Sequence, residues 1–286
     1  MHQFKIFIAL TRLNKPIGFL LLFWPCSWGL ALAYNENQNL QVFLYYLLLF
    51  FLGSVLMRSA GCIINDVVDK DLDKKVKRTK MRPLASGKIS TMKAFTYAII
   101  LCIFAFIILI QFNPLTIKLG LISMIFAFLY PFMKRITYWP QLFLGFTFNW
   151  GIIMANTAIN NEISISSIIL YVSAIFWTLG YDTVYGAQDV NDDEIIGVKS
   201  TSIKFKKKMK LFVSINYFLS SVILVFLFLN TISLNMSSFF IFLFMMSLIY
   251  QILIFKKSLP NTCLKAFKLN NYSGLFLFLG IFLNNF

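Results

Sequence analysis

The chain has 286 residues, of which 59% are hydrophobic and only 13% are charged. Soluble domains carry about 25% charged residues, so this composition excludes a soluble globular protein. The net charge of +15 would suit nucleic acid, but in a polytopic membrane protein Lys and Arg first mark the cytoplasmic loops, and we expect no nucleic-acid partner. His2 is the single histidine, which nearly excludes histidine-based catalysis and metal sites built from histidine.

Hydrophobic runs recur along the whole chain, and a spanning helix needs roughly 20 residues. The runs predict an all-α, polytopic membrane protein that forms a single transmembrane domain over residues 1–286, with about nine transmembrane helices around a central cavity. In chain order we expect the helices near residues 16–34, 41–64, 92–110, 115–132, 138–159, 164–187, 211–229, 236–255 and 272–285.

The charged residues of the loops predict how the chain crosses the membrane. Apart from Lys118, almost all of the 26 lysines and arginines fall in the N-terminal tail and in every second loop after it. The intervening loops carry Glu36 and Glu162. Because basic loops stay in the cytoplasm, we expect a multi-pass protein of the bacterial inner membrane with a cytoplasmic N-terminus.

The acidic residues are concentrated in two places. All eight aspartates and Glu194 fall in residues 65–73 (NDVVDKDLD) and 182–194 (DTVYGAQDVNDDE), which together hold nine of the 11 acids. Both segments lie at predicted cytoplasmic ends, of the second and the sixth span. Ordinary solvated helix ends would spread acids through every loop, so this concentration indicates a functional site.

Spacing places these acids on narrow helix faces. At 100° per residue, each segment presents one face less than a quarter-turn wide. The first face carries Asn65, Asp69 and Asp73, and the second carries Asp182, Asp189 and Asp193.

The two faces are also offset regularly in the sequence. Asp69 precedes Asp189 by 120 residues, and the same separation relates Asp73 to Asp193. This offset predicts two related halves, about residues 12–135 and 136–255, followed by a ninth helix, with each half presenting an Asp-xxx-Asp pair to a shared cavity.

Such facing carboxylates predict bound cations, because they would otherwise repel one another. Hard oxygen ligands select Mg²⁺ or Ca²⁺, and Mg²⁺ commonly bridges carboxylates to substrate phosphates. Basic residues in the same loops, among them Lys77, Arg78, Lys80, Arg82 and Lys199, complete the pattern of a Mg²⁺-diphosphate site. For most individual lysines a topological role or contact with anionic lipid is an alternative.

Arg58 lies inside the second predicted span, where a charge is costly without a partner or an anionic ligand. Two helical turns from Asn65, it would hold a substrate carboxylate deeper than the metal ions, the alternatives being snorkelling to the membrane surface or a pair with Asp66. Asp66 and Asp71 point away from the Asn65 face, which favours structural roles. Tyr185, on the flank of the second segment, would either position phosphate or pack.

Four segments resemble a known family. Residues 65–87 and 182–200 are similar to the two Asp-rich motifs of the UbiA superfamily of intramembrane prenyltransferases. Residues 12–28 (RLNKPIGFLLLFWPCSW) resemble its first helix, although Asn14 stands where the family more often has Asp. Residues 130–151 (YPFMKRITYWPQLFLGFTFNWG) resemble the segment typical of the 4-hydroxybenzoate polyprenyltransferase branch.

The resemblance implies Mg²⁺-dependent transfer of a polyprenyl chain from polyprenyl diphosphate to 4-hydroxybenzoate, at the ring carbon ortho to the hydroxyl, in ubiquinone biosynthesis. One Mg²⁺ would be bound by Asn65, Asp69 and Asp73, and the other by Asp189 and Asp193. Arg58 would engage the benzoate carboxylate. The substrate site would further include Arg82, Lys134 and Lys199 at the diphosphate, with Asp182 and Tyr185 beside them.

Two alternatives remain at this point. An ion-coupled secondary transporter also has internal repeats and charges within the membrane, although carboxylates at helix ends beside basic loops suit a phosphorylated ligand better than a midplane ion. A prenyltransferase for another acceptor, a menaquinone precursor or haem, would share both Asp-rich motifs, and residues 130–151 favour hydroxybenzoate over it.

Overall fold

A computed structural model describes residues 2–34, 39–231 and 233–285, and every regular secondary-structure element in this part of the chain is a helix. The helices are α1 (His2–Thr11), α2 (Ile17–Ala33), α3 (Leu40–Val68), α4 (Lys70–Asp73), α5 (Thr91–Leu109), α6 (Pro114–Ile136), α7 (Pro140–Asn149), α8 (Gly151–Asn160), α9 (Ile165–Gly186), α10 (Val190–Ile196), α11 (Thr201–Lys204), α12 (Met209–Phe228), α13 (Met236–Ile254) and α14 (Pro260–Leu283).

Eight helices of the described chain are long and apolar enough to cross a membrane, with α7 and α8 acting together as one span, Pro140–Asn160. The ninth expected helix is α2, an apolar helix of 17 residues. The predicted all-α, multi-pass membrane fold is therefore confirmed. Glu36, which we used for topology, lies outside the described residues.

Side-chain caps fix where several spans begin. The side chain accepts a hydrogen bond from a backbone amide in the first turn, which satisfies a donor that the helix itself leaves free. The capping residues are Asn39 for α3, Ser90 for α5, Asn113 for α6, Ser164 for α9 and Asn235 for α13.

The last span begins earlier than the sequence predicted. Helix α14 starts at Pro260 instead of residue 272, because the lysines that we assigned to a loop are part of its first turns. Lys265 and Lys268 are exposed while Cys263 and Phe267 are buried. This one-sided spacing is typical of an amphipathic helix entering the membrane.

Helix α2 lies at the centre of the protein, in contact with α3, α8 and α14. Gly29 allows α2 to approach the α8 backbone, because a Cβ at this position would collide with the main chain of Ile152. The buried Trp28 ring lies 5.0 Å from that of Trp177 and donates a hydrogen bond to the carbonyl of Gly274 in α14 at 2.9 Å. The long α2 interface thus fixes one wall of the cavity described below.

A buried polar network joins the helices of the C-terminal half. Asn270 of α14 accepts a hydrogen bond from Trp177 Nε1 at 2.7 Å and donates one to Gln251 of α13 at 2.9 Å. Gln251 also accepts from the Tyr217 hydroxyl of α12 at 2.8 Å and donates to Ser273 at 3.0 Å. In a membrane, such interhelical bonds hold helices that have no hydrophobic driving force to associate.

Candidate active site

A cavity of about 1500 Å³ opens within the helical bundle, lined by parts of α2, α3, α5, α6, α7, α9 and α14. Its walls are apolar over most of their length and become polar toward the helix ends that carry the acidic segments. Five of the predicted site residues line it, namely Arg58, Asn65, Arg82, Asp182 and Tyr185. The other predicted residues lie outside the lining, at the ends of α3, α6 and α9 and in the short segments that follow them.

Asp69 is placed by the end of α3. The helix stops at Val68, and Asp69 is its C-cap residue, with its backbone amide bonded to the Asn65 carbonyl at 2.9 Å. The Asp69 side chain is only 2% exposed, and its Oδ2 accepts a hydrogen bond from Lys134 Nζ at the end of α6. Burial raises the pKa of Asp69, while the nearby Lys134 opposes that shift.

Asp73 belongs to the short helix α4, so the first acidic segment is not the single continuous helix assumed from the sequence. Its amide still bonds to the Asp69 carbonyl at 2.8 Å, which keeps the two carboxylates one turn apart. Asp73 Oδ2 accepts a hydrogen bond from Arg82 Nη1 at 2.7 Å. The predicted metal ligand and the predicted diphosphate ligand are thus paired with each other.

Arg78 connects the two acidic segments. Its Nε and Nη2 donate to the two carboxylate oxygens of Asp189 at 2.7 and 2.6 Å, and its Nη1 lies 3.4 Å from the Tyr185 hydroxyl. Asp193, one turn after Asp189, has its pKa raised to about 6 by burial and by the charge of Asp189. The structure therefore brings the motifs together, across 111 residues of sequence, through Arg78, which was expected among the basic residues of the diphosphate site but whose partner Asp189 was not predicted.

A metal site is not fully assembled. Within the described ranges, no three His, Cys, Asp or Glu side chains converge to hold an ion. Two buried oxygens are nevertheless suited to a metal ion, because Asn65 Oδ1 and Asp69 Oδ1 accept no hydrogen bond from the described residues. Arg135 Nη2 lies 3.7 Å from Asp69 Oδ1, beyond hydrogen-bond distance. Buried oxygens of this type are the hard ligands that Mg²⁺ prefers.

Arg58 lies deeper in the cavity. Its Nη1 contacts Cys62 Sγ at 2.8 Å, and its guanidinium carbon lies 5.7 Å from the centre of the Phe148 ring. Its Nε is buried and has no hydrogen-bond partner among the described residues. The alternative pair with Asp66 is wrong, because Asp66 contacts Arg12 and Arg82 instead. A half-buried guanidinium with a buried, unpaired Nε is a position at which an anionic ligand would be stabilised.

The two predicted lysines at the diphosphate are held differently. Lys134 faces Asp69, whereas Lys199 Nζ donates to the Ile136 carbonyl at 3.1 Å and its backbone amide bonds to the Lys134 carbonyl at 2.8 Å. Lys199 thus lies against the end of α6, outside the cavity lining. Asp182 lines the cavity, and Tyr185 packs on Phe267 with ring centres 4.5 Å apart.

Sequence analysis assigned no site role to Arg12 and named Arg78 only among the basic residues of the expected Mg²⁺-diphosphate site, although both line the cavity. Arg12 was used only as a topology marker and as the start of the segment resembling the family's first helix. The available signal was weak, since nothing in a basic loop distinguishes an arginine that pairs with a distant aspartate from one that faces solvent.

The chain matches the model of the UbiA prenyltransferase family over residues 22–279. It belongs to that family. Among its UbiA relatives, the 4-hydroxybenzoate octaprenyltransferase of Vibrio vulnificus (strain CMCP6) is 42% identical over 285 residues, which cover 99% of this chain and 98% of the relative. The enzyme of the same name from Vibrio atlanticus (strain LGP32) is 41% identical over 280 residues, or 98% and 97% of the two chains.

Solved UbiA structures share the fold. The apo UbiA homolog from Aeropyrum pernix K1 aligns with a TM-score of 0.77 at 20% identity, covering 92% of this chain and 97% of the other. A UbiA homolog from Archaeoglobus fulgidus, solved bound to GPP and Mg²⁺, aligns with a TM-score of 0.72 at 19% identity, covering 97% and 99%. The predicted family is thus confirmed, and a UbiA prenyltransferase is an enzyme, which removes the transporter alternative.

Proposed function

We propose that this protein transfers a polyprenyl chain from polyprenyl diphosphate to the carbon ortho to the hydroxyl of 4-hydroxybenzoate, releasing diphosphate, as a step of ubiquinone biosynthesis. The observation that carries the proposal is the identity of about 40% over nearly the whole chain to enzymes named 4-hydroxybenzoate octaprenyltransferase. The cavity supports it, because one space combines an apolar wall, a charged end and a half-buried arginine, Arg58.

The acceptor end of the cavity is assigned to Arg58. It precedes Asn65 by seven residues on α3, which places it about 10 Å deeper along the helix. A carboxylate is the one anionic group of 4-hydroxybenzoate at neutral pH, and a guanidinium binds carboxylate with two parallel hydrogen bonds. Phe148, beside the guanidinium, offers an aromatic face to the acceptor ring.

The donor end is assigned to the cytoplasmic helix ends. Asn65, Asp69 and Asp73 would hold one Mg²⁺, and Asp189 with Asp193 a second; the orphaned oxygens of Asn65 and Asp69 support the first assignment. When bound, Mg²⁺ supplies positive charge against the negative charge that grows on the leaving diphosphate. Lys134 and Arg82, already beside Asp69 and Asp73, would bind diphosphate oxygens. Lys199, which lies against the end of α6, would bind them as well.

The chemistry then depends on exclusion of water. The bond between the allylic carbon and the diphosphate oxygen breaks, and the ring carbon ortho to the hydroxyl forms a bond to the allylic carbon. That ring carbon then loses its proton to the released diphosphate, whose oxygens are basic. The apolar wall around the prenyl chain protects the allylic cation from water, and aromatic faces stabilise it. Arg58 contributes by fixing which ring carbon faces the donor.

We further place the protein in the bacterial inner membrane with its N-terminus in the cytoplasm. This orientation rests on the distribution of Lys and Arg. It puts the acidic motifs on the cytoplasmic side, where a water-soluble aromatic acid and Mg²⁺ are available.

The test uses the purified protein in lipid. Radiolabelled 4-hydroxybenzoate and a polyprenyl diphosphate should yield a radioactive lipid-soluble product with Mg²⁺ and none with EDTA. A parallel reaction offers 1,4-dihydroxy-2-naphthoate, a menaquinone precursor, as the acceptor. Product from the naphthoate alone would reassign the acceptor and would contradict the proposed function.

A further inference from the structure

Asp66 holds two arginines that reach it from different parts of the chain. Its side chain is 1% exposed, and its Oδ1 accepts hydrogen bonds from Arg12 Nη2 at 2.5 Å and from Arg82 Nη1 at 3.1 Å. Arg12 comes from the turn between α1 and α2, and Arg82 from the loop after α4. One buried oxygen therefore contacts both guanidinium groups, and Arg82 is held in addition by Asp73 Oδ2 at 2.7 Å.

Both arginines line the cavity and keep donors free. Among the described residues, Nε and Nη1 of Arg12 have no hydrogen-bond acceptor, and neither do Nε and Nη2 of Arg82. A guanidinium presents its N–H groups in a fixed fork that matches two phosphate oxygens. Two such forks on one wall form a binding surface for a diphosphate.

The backbone of Arg12 is unusual in a way that points to the same surface. Its φ is 57°, and within the described ranges only Asn161 shares this left-handed conformation among residues other than glycine. Asn adopts that region readily, whereas a long side chain rarely does. Strained positions of this kind persist where surrounding contacts hold them and are concentrated at functional sites. The contacts made by Arg12 are the side-chain ion pair with Asp66 and a backbone hydrogen bond from the Lys15 amide to the Arg12 carbonyl at 2.8 Å.

We propose that Asp66 is a positioning residue that holds Arg12 and Arg82 against the cavity wall, and that Arg12 is a further ligand for the diphosphate of the prenyl donor. This inference rests on the proposed function, because that function supplies the diphosphate. It also gives Asp66 a role that its orientation away from the Asn65 face concealed at the sequence level.

The direction in which Asp66→Asn changes the affinity for diphosphate distinguishes a positioning role of Asp66 from a simple effect of its charge. Replacing Asp66 by Asn removes a negative charge beside the cavity, and charge alone would make a diphosphate bind more tightly. Loss of positioning has the opposite effect, because the two forks no longer converge. Asp71 provides a matched control, since it lies in the same motif, is exposed and pairs only with Lys74.

The experiment measures binding of inorganic diphosphate, in the presence of Mg²⁺, to the full protein in lipid nanodiscs by calorimetry. Asp66→Asn should weaken the affinity by about tenfold or more, the loss of roughly one charge-assisted contact, while Asp71→Asn should change it less than about twofold. In steady-state kinetics Asp66→Asn should raise KM for the polyprenyl diphosphate and leave KM for 4-hydroxybenzoate unchanged.

Unchanged or tighter diphosphate binding by Asp66→Asn would overturn the positioning role. Arg12→Lys, which keeps the charge and loses the fork, provides a second variant should Asp66→Asn fail to fold, and normal diphosphate affinity in Arg12→Lys would likewise overturn the proposal. If the wild-type protein itself bound no diphosphate, the proposed function would fail before the role of Asp66 was reached.

Discussion

Arg78 and Asp189 are joined by two parallel hydrogen bonds, at 2.7 and 2.6 Å, between a loop of the N-terminal half and the second acidic motif. This pair is the direct link between the segments that carry the two sets of aspartates. Its geometry requires a guanidinium, because a lysine ammonium cannot donate to both oxygens in this way.

We therefore expect Arg78→Lys to loosen both segments. Hydrogen exchange should become faster in residues 74–82 and in residues 187–193, since local opening depends on the contacts that hold a segment. Lys77→Ala is the control, because Lys77 is exposed and forms no ion pair among the described residues. Equal exchange in the Arg78→Lys and wild-type proteins would show that the link does not hold the loop.

The carboxylates predicted as metal ligands should be separable from their exposed neighbour. Asp69→Asn, Asp73→Asn, Asp189→Asn and Asp193→Asn each keep side-chain volume and should each remove most turnover, by about 10-fold to 100-fold or more. Asp71→Asn should have little effect. The assay varies Mg²⁺ at saturating substrates in protein shown to be folded. Similar activity in all five variants would contradict the assignment of both Mg²⁺ sites.

Arg58 should determine recognition of the aromatic acid. Arg58→Ala removes a charge-assisted contact of about 1.5–3 kcal/mol, which corresponds to roughly one to two decades in affinity. KM for 4-hydroxybenzoate should rise by that factor, and KM for the prenyl diphosphate should stay nearly constant. Kinetics with each substrate varied in turn decide the matter. The reverse pattern would move Arg58 to the diphosphate.

The space beside Arg58 allows a finer test. A Cβ at Gly18 would lie 3.1 Å from Arg58 Nε, whereas one at Gly61 would meet no atom within 4 Å, although both glycines line the cavity. Gly18→Ala should displace the guanidinium and raise KM for 4-hydroxybenzoate several-fold. Gly61→Ala is the matched control and should leave this KM unchanged. Equal KM values for the two variants would show that Arg58 tolerates the shift.

The polar network of the C-terminal half should contribute to stability and not to chemistry. Asn270→Leu leaves the buried Trp177 Nε1 without its acceptor, and interhelical bonds of this type are worth about 1 kcal/mol in membranes. Asn261→Leu, exposed on the same helix, is the control. Unfolding in mixed detergent micelles should detect the loss for Asn270→Leu alone. A stability equal to that of the control would assign the network no net contribution.

Sequence periodicity predicted the spans well because a segment in lipid must form all its backbone hydrogen bonds internally, so a long apolar run is expected to form a spanning helix. The helical angle of 100° per residue likewise predicted that Asn65 and Asp69 share one face at the end of α3. Periodicity missed the partner of each aspartate, since Arg78 with Asp189 and Lys134 with Asp69 are contacts between distant segments that no local pattern specifies. It also misplaced the start of α14, where Lys265 and Lys268 resemble a loop until their buried neighbours are known.

The unequal lengths of α2 and α3 determine the electrical environment of the charged residues. Helix α3 has 29 residues and α2 has 17, a difference of about 18 Å along the axis, and the two are joined by residues 34–39. The start of α2 lies beside Arg58, since a Cβ at Gly18 would be 3.1 Å from Arg58 Nε, so the end of α3 that carries Asn65 extends past the start of α2, where Asn65 lines the cavity. Charges in a cavity with low-dielectric walls are screened less by salt than exposed ones. Affinity for a phosphorylated ligand should accordingly decline only gradually as ionic strength rises.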